Sequence, residues 1–484
     1  MPFFAEHAAL DVSNVRRIHF IAVAGTGMGS LATLLRRAGY EVTGSDANVY
    51  PPMSTQLEAE GIALMMPYAA ANIEKARPDL VIVGNACKRD HVEVVEADRR
   101  GLPCTSFPAA LGAFFLAKKK SFVVAGTHGK TTTTALLAWL LESAGRKPSF
   151  LVGGITQNFG TSARSSEGDD FVIEGDEYDS AFFDKVAKFF HYMPKIAVVT
   201  SVEFDHADIY ADMNAYEAAF ERFVAMVPKD GLLFLCADDP NAQRLAEHAK
   251  TRVIRYGIAA TDAELRATDV EPHAGGMRFT ASLLGVSLGE FTMQMTGRHN
   301  VWNALAAIGM AHMGAGVSAA EIKKGLAAFQ GVKRRQEVRG EAGGVTVVDD
   351  FAHHPTAVRE TIAAVKARHP GRRLVAIYEP RTNTARRAIH QQEYATAFDG
   401  ADLVMLARPT AGNYTLADDE RLSADKLAQD LRGHGQGAKS LGDADEIVAE
   451  CKQVAKRGDV LLVMSNGGFG GIHEKLLAML RSRE

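Results

Sequence analysis

Apolar runs of strand length, each followed by a polar or glycine-bearing gap and then by helically spaced apolar residues, recur along the whole chain. Residues 17–20 open such a run, which continues as Ile-Ala-Val-Ala-Gly. Gly25-Thr26-Gly27-Met28-Gly29-Ser30 follows, then the helical pattern LATLLRRAG and a second strand, YEVTGSD, ending at Asp46. Residues 79–86 (DLVIVGNA) predict a further buried strand ending in a ligand-facing loop. Residues 113–120 (AFFLAKKK) predict a helix end with basic side chains near its C-terminus. Further strands are predicted at 122–124, 171–173 and 196–200, a strand and turn at 231–240, then a β-rich edge to residue 291 and a helix after Gly297-Arg298-His299-Asn300. In the last third, a basic stretch (GVKRRQEVRG) precedes the strand VTVVDD, and LVAIYEP, DLVMLARP and DVLLVMSN are strand-then-loop units. Strands alternating with helices predict an α/β protein of mostly parallel sheets flanked by helices. The expected domains are 1–118 and 333–484, both Rossmann-like, around a phosphate-loop domain at 119–332.

Within that pattern the strongest chemical signal is FVVAGTHGKTTTT, residues 122–134. It reads as strand, tight loop and helix start. Gly126-Thr127-His128-Gly129-Lys130-Thr131, with Thr132 leading into the helix, would point backbone N–H groups and a positive helix end at one spot, as a phosphate site requires. Lys130 would supply a mobile cation and Thr131 a hydroxyl for Mg²⁺. Only two residues separate the glycines, fewer than the usual phosphate loop has. Glu174 falls at the carboxyl end of a predicted strand, where α/β ligand sites form, with Asp176, Glu177 and Asp179 behind it. Carboxylates near a triphosphate commonly serve Mg²⁺, and the strand placement favours Glu174. His206 lies just past the next strand among Glu203, Asp205 and Asp208, which suits a metal or phosphate role.

The first glycine turn (Gly25, Gly27, Met28, Gly29) has an acid, Asp46, at the end of strand two, where a carboxylate can hold a ribose hydroxyl. Ser30 stands where a dinucleotide turn has its third glycine. The loop with Asn158 and Arg164 suits a sugar or phosphate contact, or an ordinary polar surface. Asn300 is expected, on its position alone, to cap the following helix. Arg381 and the turn from Asn466 to Gly471 sit at strand carboxyl ends, where an acceptor substrate would bind.

Composition narrows this picture. The chain has 484 residues, enough for about three domains. A net charge of -4 argues against non-specific nucleic-acid binding. Cys87, Cys104, Cys236 and Cys451 have no zinc or redox spacing and read as reduced thiols of a cytoplasmic protein. No apolar run reaches membrane-span length, and the N-terminus MPFFAEHAALD lacks the basic region of a signal peptide.

GTHGKT, EGDEYD, SVEFDH, GRHN and DDFAHHPTA occur in this order, and with them the sequence resembles the Mur ligase family across essentially its whole length. The resemblance implies ATP-dependent amide formation in peptidoglycan assembly, with ATP and Mg²⁺ as cofactors. It implies an N-terminal domain for UDP-N-acetylmuramate, a central ATPase domain and a C-terminal domain for the incoming amino compound. The stretches VGGITQNFGTSAR, GDEYDSAFFDK, GVKRRQEVRG, YEPRTNT and SNGGFGGIHEKLL look like the member that adds the tripeptide L-Ala-γ-D-Glu-meso-diaminopimelate. The alternative is the member that adds L-alanine. By resemblance, Lys130 holds the terminal phosphates and Thr131, Glu174 and His206 serve Mg²⁺. His299 and Asn300 contact the adenine side, replacing the cap expected of Asn300. Arg335 and Asp350 reach the nucleotide, and His353 lies near the reacting phosphates. Gly25, Gly27, Met28, Gly29, Asp46, Asn158 and Arg164 are expected at the UDP-sugar. Arg381, Asn383, Asn466 and Phe469 are expected at the peptide. Some relatives carry a carbamylated lysine where this chain has Phe220-Glu221, so none is expected here. Small-molecule substrates, no membrane or nucleic-acid partner, and a monomer or weak homo-oligomer complete the expectation.

Overall fold

The computed structural model describes residues 10–49, 53–409 and 416–483. The N-terminal segment read above as lacking a signal lies, up to residue 9, outside the described residues. By backbone proximity the chain forms two compact units. One comprises the chain up to Val202, with Glu217–Arg266 and Ala304–Gly325; the other comprises Glu203–Tyr216, Ala267–Asn303 and the chain from Leu326 onward.

The described part of the first unit holds a five-stranded N-terminal sheet, the parallel part of a second, larger sheet and a two-stranded ribbon, Asp179–Ala181 with Asp184–Ala187. In the N-terminal one the described strands run in the order Ala63–Met65, Glu41–Ser45, Arg17–Ile21, Leu80–Val83, Cys104–Ser106, all parallel. Strand order therefore reverses beside Arg17–Ile21, the switch point where ligands of such sheets bind. The helix Thr26–Arg37 begins there, with Gly25 as its N-cap. In the second sheet Lys120–Ala125 is central, between Ile196–Val199 and Asp170–Glu174, with Leu232–Cys236 and Arg252–Gly257 on one side and Ser149–Leu151 on the other, all parallel. Phe122, Val123, Val124 and Ala125 are wholly buried, as a central strand covered on both faces demands. Lys120 opens this strand instead of ending the preceding helix, which stops at Phe114.

In the second unit Gly276–Leu283 and Val286–Met293 form an antiparallel hairpin. The C-terminal sheet runs Glu337–Ala342, Val345–Asp350, Val460–Met464, Leu374–Tyr378, Leu403–Ala407, Gly437–Leu441. Its first strand is antiparallel and the rest are parallel. The Glu-Val-Arg-Gly end of the basic stretch is thus itself an edge strand, where antiparallel pairing needs only the two-glycine turn Gly343-Gly344. Residues alternate between the faces. Val348, Ala376, Tyr378 and Leu462 fill one core, while Val347, Val375, Ile377 and Leu461 fill the other, with the helices Ala444–Val454 and Ile472–Arg481. Among the described residues no helix is long and apolar enough to cross a membrane.

Candidate active site

The phosphate-loop half is built in the first unit. After Lys120–Ala125 the chain turns through Gly126 at φ +123° and Gly129 at φ +78°, and the helix Lys130–Ser143 starts directly. A Cβ on Gly126 would lie 2.2 Å from Thr200 Oγ1, so only glycine fits beneath the neighbouring strand end. Thr127 N–H donates to the Ser201 carbonyl at 2.9 Å and His128 N–H to Ser201 Oγ at 3.1 Å. The first intrahelical bond runs from Thr133 N–H to the Gly129 carbonyl at 2.9 Å. The N–H groups of Lys130, Thr131 and Thr132 therefore precede the helical ladder and face the helix end, which a triphosphate can use.

Lys130 folds back over this loop. Its Nζ donates to the Gly126 and Thr127 carbonyls and to Glu177 Oε1, the last at 2.9 Å. Glu177 is 1% exposed. Burial alone would depress the Lys130 pKa, but the charges of Glu177, Asp176 and Glu174 outweigh it and hold it above its ordinary value. Thr131 Oγ1 donates to Glu174 Oε1 at 3.0 Å, and Gly153 N–H donates to Glu174 Oε2 at 2.8 Å. The donors here are a hydroxyl and carboxylate oxygens, which suit Mg²⁺ better than a softer metal. The glycine cradle, the helix start and Lys130 together suit the phosphates of ATP. Glu177, which strand placement alone ranked behind Glu174, is the direct partner of the lysine. It lies three residues beyond the strand end, where spacing gives no direction to its side chain.

The first glycine turn has a different construction. Ala22 and Val23 N–H donate to the Ser45 carbonyl at 3.0 and 3.1 Å, and Ala24 N–H donates to Asp46 Oδ2 at 2.9 Å. Asp46 Oδ1 accepts from Ala47 N–H at 2.7 Å. The acid expected at a ribose thus also staples the turn. Met28 is buried, and a Cβ on Gly29 would meet Met53 Sδ at 2.2 Å. Ser30, standing for a glycine, is buried 3.1 Å from Ser162 Oγ. Asn158 is half-buried in the loop before Ala163–Arg164. Arg164, expected at the UDP-sugar, is half-buried. It pairs with Glu142 and lies over the rings of Phe150 and Phe159, at 5.4 and 4.8 Å, because the aromatic floor and the acid together satisfy its charge. Phe220 packs in the core against Phe189, and Glu221 lies 3.5 Å from His248.

In the second unit, Asp205 Oδ1 accepts from His206 N–H at 2.7 Å and Asp205 Oδ2 lies 3.7 Å from His353 Nε2. Burial would raise the Asp205 pKa, yet hydrogen bonding from His353 and the nearby His206 hold it well below the carboxylate range. His206 adopts φ +55°. His354 caps the helix Pro355–Arg368, and its Nδ1 lies 3.3 Å from Glu203 Oε2. His299, Arg335 and Asp350 come together around Gln336, a residue that nothing in the spacing marked. Gln336 Nε2 lies 3.1 Å from His299 Nε2, and Gln336 N–H donates to Asp350 Oδ2 at 2.8 Å. Arg335 lies 4.8 Å from the Phe351 ring centre. Burial and the Arg335 charge push the His299 pKa down to about 4. Asp350 is buried, with Oδ1 accepting from Ala352 N–H at 2.8 Å and burial raising its pKa. Asn300 is not the helix cap. The helix begins at Arg298, and Asn300 Nδ2 donates back to the Thr296 carbonyl at 2.7 Å from inside the first turn.

At the C-terminal strand ends, Arg381 Nη1 lies 3.6 Å from Glu379 Oε1, and Glu379 Oε2 accepts from Ser465 Oγ. Arg334 Nη2 donates to the carbonyls of Ser465 and Gly467 at 2.6 and 2.8 Å. A Cβ on Gly467 would strike the Arg381 side chain at 2.2 Å. Asn383 donates to Asp208 Oδ2 and accepts from Arg386, both at 2.7 Å. Asn466 Oδ1 is buried in this turn. Phe469, expected at the peptide, is 3% exposed and packs its ring among Ile447, Ile472 and Leu476. Burying so large an apolar surface is favourable, and the ring joins the core.

Comparison with known proteins sets these features in a family. Residues 17–119 match the Mur ligase family catalytic domain, 124–311 the Mur ligase middle domain and 334–467 the Mur ligase glutamate ligase domain. A protein of Escherichia coli named UDP-N-acetylmuramate--L-alanyl-gamma-D-glutamyl-meso-2,6-diaminoheptandioate ligase is 42% identical over 462 residues, covering 95% of this chain and 97% of the relative. The chain belongs to the Mur ligase family. It is accordingly an ATP-dependent ligase that forms C–N bonds. A Geobacter sp. protein named UDP-N-acetylmuramate--L-alanine ligase is 36% identical, covering 97% of this chain and 98% of the relative. Among solved structures, a murein peptide ligase of Psychrobacter arcticus matches with a TM-score of 0.72 and 38% identity, covering 96% of this chain and 98% of that one. The three family domains account for the three mostly parallel sheets.

Proposed function

We propose that this Mur ligase joins the tripeptide L-Ala-γ-D-Glu-meso-diaminopimelate to UDP-N-acetylmuramate at the expense of ATP. The observation that carries the choice of acceptor is identity. Relatives named for the tripeptide reach 40 and 42% over nearly the whole chain, whereas those named for L-alanine reach 34 to 36%. In this reading residues 1–118 take the UDP-sugar, 119–332 the ATP and 333–484 the peptide.

The lactyl carboxylate of UDP-N-acetylmuramate attacks the γ-phosphorus of ATP, and ADP leaves. The tripeptide amine, uncharged, attacks the carbonyl carbon of the acyl phosphate, loses a proton and expels phosphate. Lys130 and the N–H groups at the start of Lys130–Ser143 stabilise the charge gathered on the phosphoryl oxygens. Thr131 and Glu174, already in contact, would hold Mg²⁺, which supplies further charge neutralisation. Arg381 beside Glu379 offers a guanidinium to a peptide carboxylate.

The test is direct. The protein is incubated with Mg·ATP, UDP-N-acetylmuramate and either tripeptide or L-alanine, and ADP release and the coupled product are measured. Tripeptide-dependent turnover at least about tenfold above that with L-alanine supports the proposal, and the reverse preference overturns it in favour of the L-alanine reading.

A further inference from the structure

We propose that Glu93, a residue remote from any ligand motif, positions the first glycine turn for the UDP-sugar. This inference rests on the proposed function, in which that turn binds UDP-N-acetylmuramate.

Glu93 lies in the first turn of the helix Val92–Arg99, and its side chain has no exposed surface. Four groups from three other segments converge on its carboxylate. Oε1 accepts from Asn72 Nδ2 at 2.7 Å and from Ala69 N–H at 3.0 Å. Oε2 accepts from Ser45 Oγ and lies 3.6 Å from His19 Nε2. His19 is itself held on the adjacent strand through Nδ1, 2.8 Å from Thr43 Oγ1. Asn72 also donates to the Pro67 carbonyl at 3.0 Å, so the loop before the helix Ala70–Ala76 is gathered to the same point.

Ser45 is the link to the turn. Its hydroxyl is fixed by Glu93, while its carbonyl receives the N–H groups of Ala22 and Val23. Ala22 is a non-glycine residue at φ +66°, a conformation that needs external support. The next residue after Ser45 is Asp46, which receives Ala24 N–H. One buried carboxylate thus sets Ser45, and Ser45 with Asp46 sets three consecutive amides leading into Gly25. A carboxylate suits this place because it only accepts, and all four groups that reach it can donate. Glutamine has nearly the same shape but would present an NH₂ to at least one donor.

The experiment uses the full chain. Glu93→Gln, Ser45→Ala and the double variant are assayed with Mg·ATP, tripeptide and UDP-N-acetylmuramate, and both nucleotides are titrated calorimetrically. Glu93→Gln is expected to raise KM for UDP-N-acetylmuramate about tenfold, the effect of losing one hydrogen bond to a charged group, with KM for ATP within about twofold of the unaltered value. In the Ser45→Ala background the same change is expected to raise it less than about threefold, because the connecting hydroxyl is already gone. A lower melting temperature with KM for UDP-N-acetylmuramate unchanged would overturn the proposal, as would a parallel rise in both KM values or equal effects in the two backgrounds. If Glu93→Gln does not fold, Ser45→Ala alone decides by the same split between the two KM values. Failure of the unaltered chain to bind UDP-N-acetylmuramate would overturn the reading of the turn itself, and the proposal with it.

Discussion

Lys130 and Gly126 show how much of the phosphate loop depends on single residues. Lys130 brings the only side-chain ammonium of the 126–131 loop, and Glu177 keeps that charge in place although burial opposes it. Lys130→Ala is expected to lower ATP-dependent ligation at least about a thousandfold, measured by ADP release, because the phosphoryl oxygens lose their fixed cation. Gly126→Ala introduces a Cβ 2.2 Å from Thr200 Oγ1 at φ +123°. It should cost about 3 kcal/mol of stability, read from the denaturant midpoint, since the φ strains the backbone and the Cβ also meets the Thr200 and Ser201 backbone nitrogens at 2.8 and 2.9 Å. The sequence pointed to Gly126 and Lys130 through local spacing. It did not point to Gln336, whose partner is 37 residues away, nor to the pairing of Glu177 with Lys130 across 47 residues.

Elements decide which way a side chain faces. The chain from Asn466 to Gly471, expected to be a substrate turn, follows the strand Val460–Met464. The element then divides its residues: Asn466 stays in the turn, while Phe469 enters the core beneath Ile472–Arg481. Phe469→Ala should therefore destabilise the protein by about 3–5 kcal/mol, as a buried aromatic truncation does, in equilibrium unfolding. His353 illustrates support from the opposite direction. Its carbonyl accepts from the hydroxyls of both Tyr378 and Tyr394, which also bond each other at 2.7 Å. Two adjacent elements, a strand and a helix, thus fix one backbone group at the start of Pro355–Arg368.

At the scale of the molecule, ligands and protons shift the folding equilibrium. Mg·ATP at about 100 times its Kd should stabilise the chain by about 2.7 kcal/mol, seen as a raised melting temperature. Chelating the metal with EDTA should remove both this rise and the ligase activity, if Mg²⁺ is held as proposed. His299 gives a pH dependence of defined sign. Its folded pKa of about 4 lies below the ordinary value near 6.5, so the unfolded chain binds the extra proton first. Stability from this group is complete above about pH 6.5 and is lost as pH falls towards about 4. His299→Gln should flatten the pH dependence of the unfolding midpoint in that window.

The sequence by itself determined the α/β alternation, the glycine turns, the phosphate loop and the family, because all of these are written in local spacing and strand–helix periodicity. Glu174 was legible as the end of an apolar run, and Lys130 as the residue after a glycine at a strand–helix junction. The tertiary structure alone decided that Glu177 meets Lys130, that Gln336 gathers His299 and Asp350, that Arg164 pairs with Glu142 and that Asn300 sits inside its helix. It also brought Glu93 beneath Ser45. Each of those is a contact between side chains distant in sequence or a choice between two faces of one element. Burial and packing settle such choices, and no local pattern encodes them.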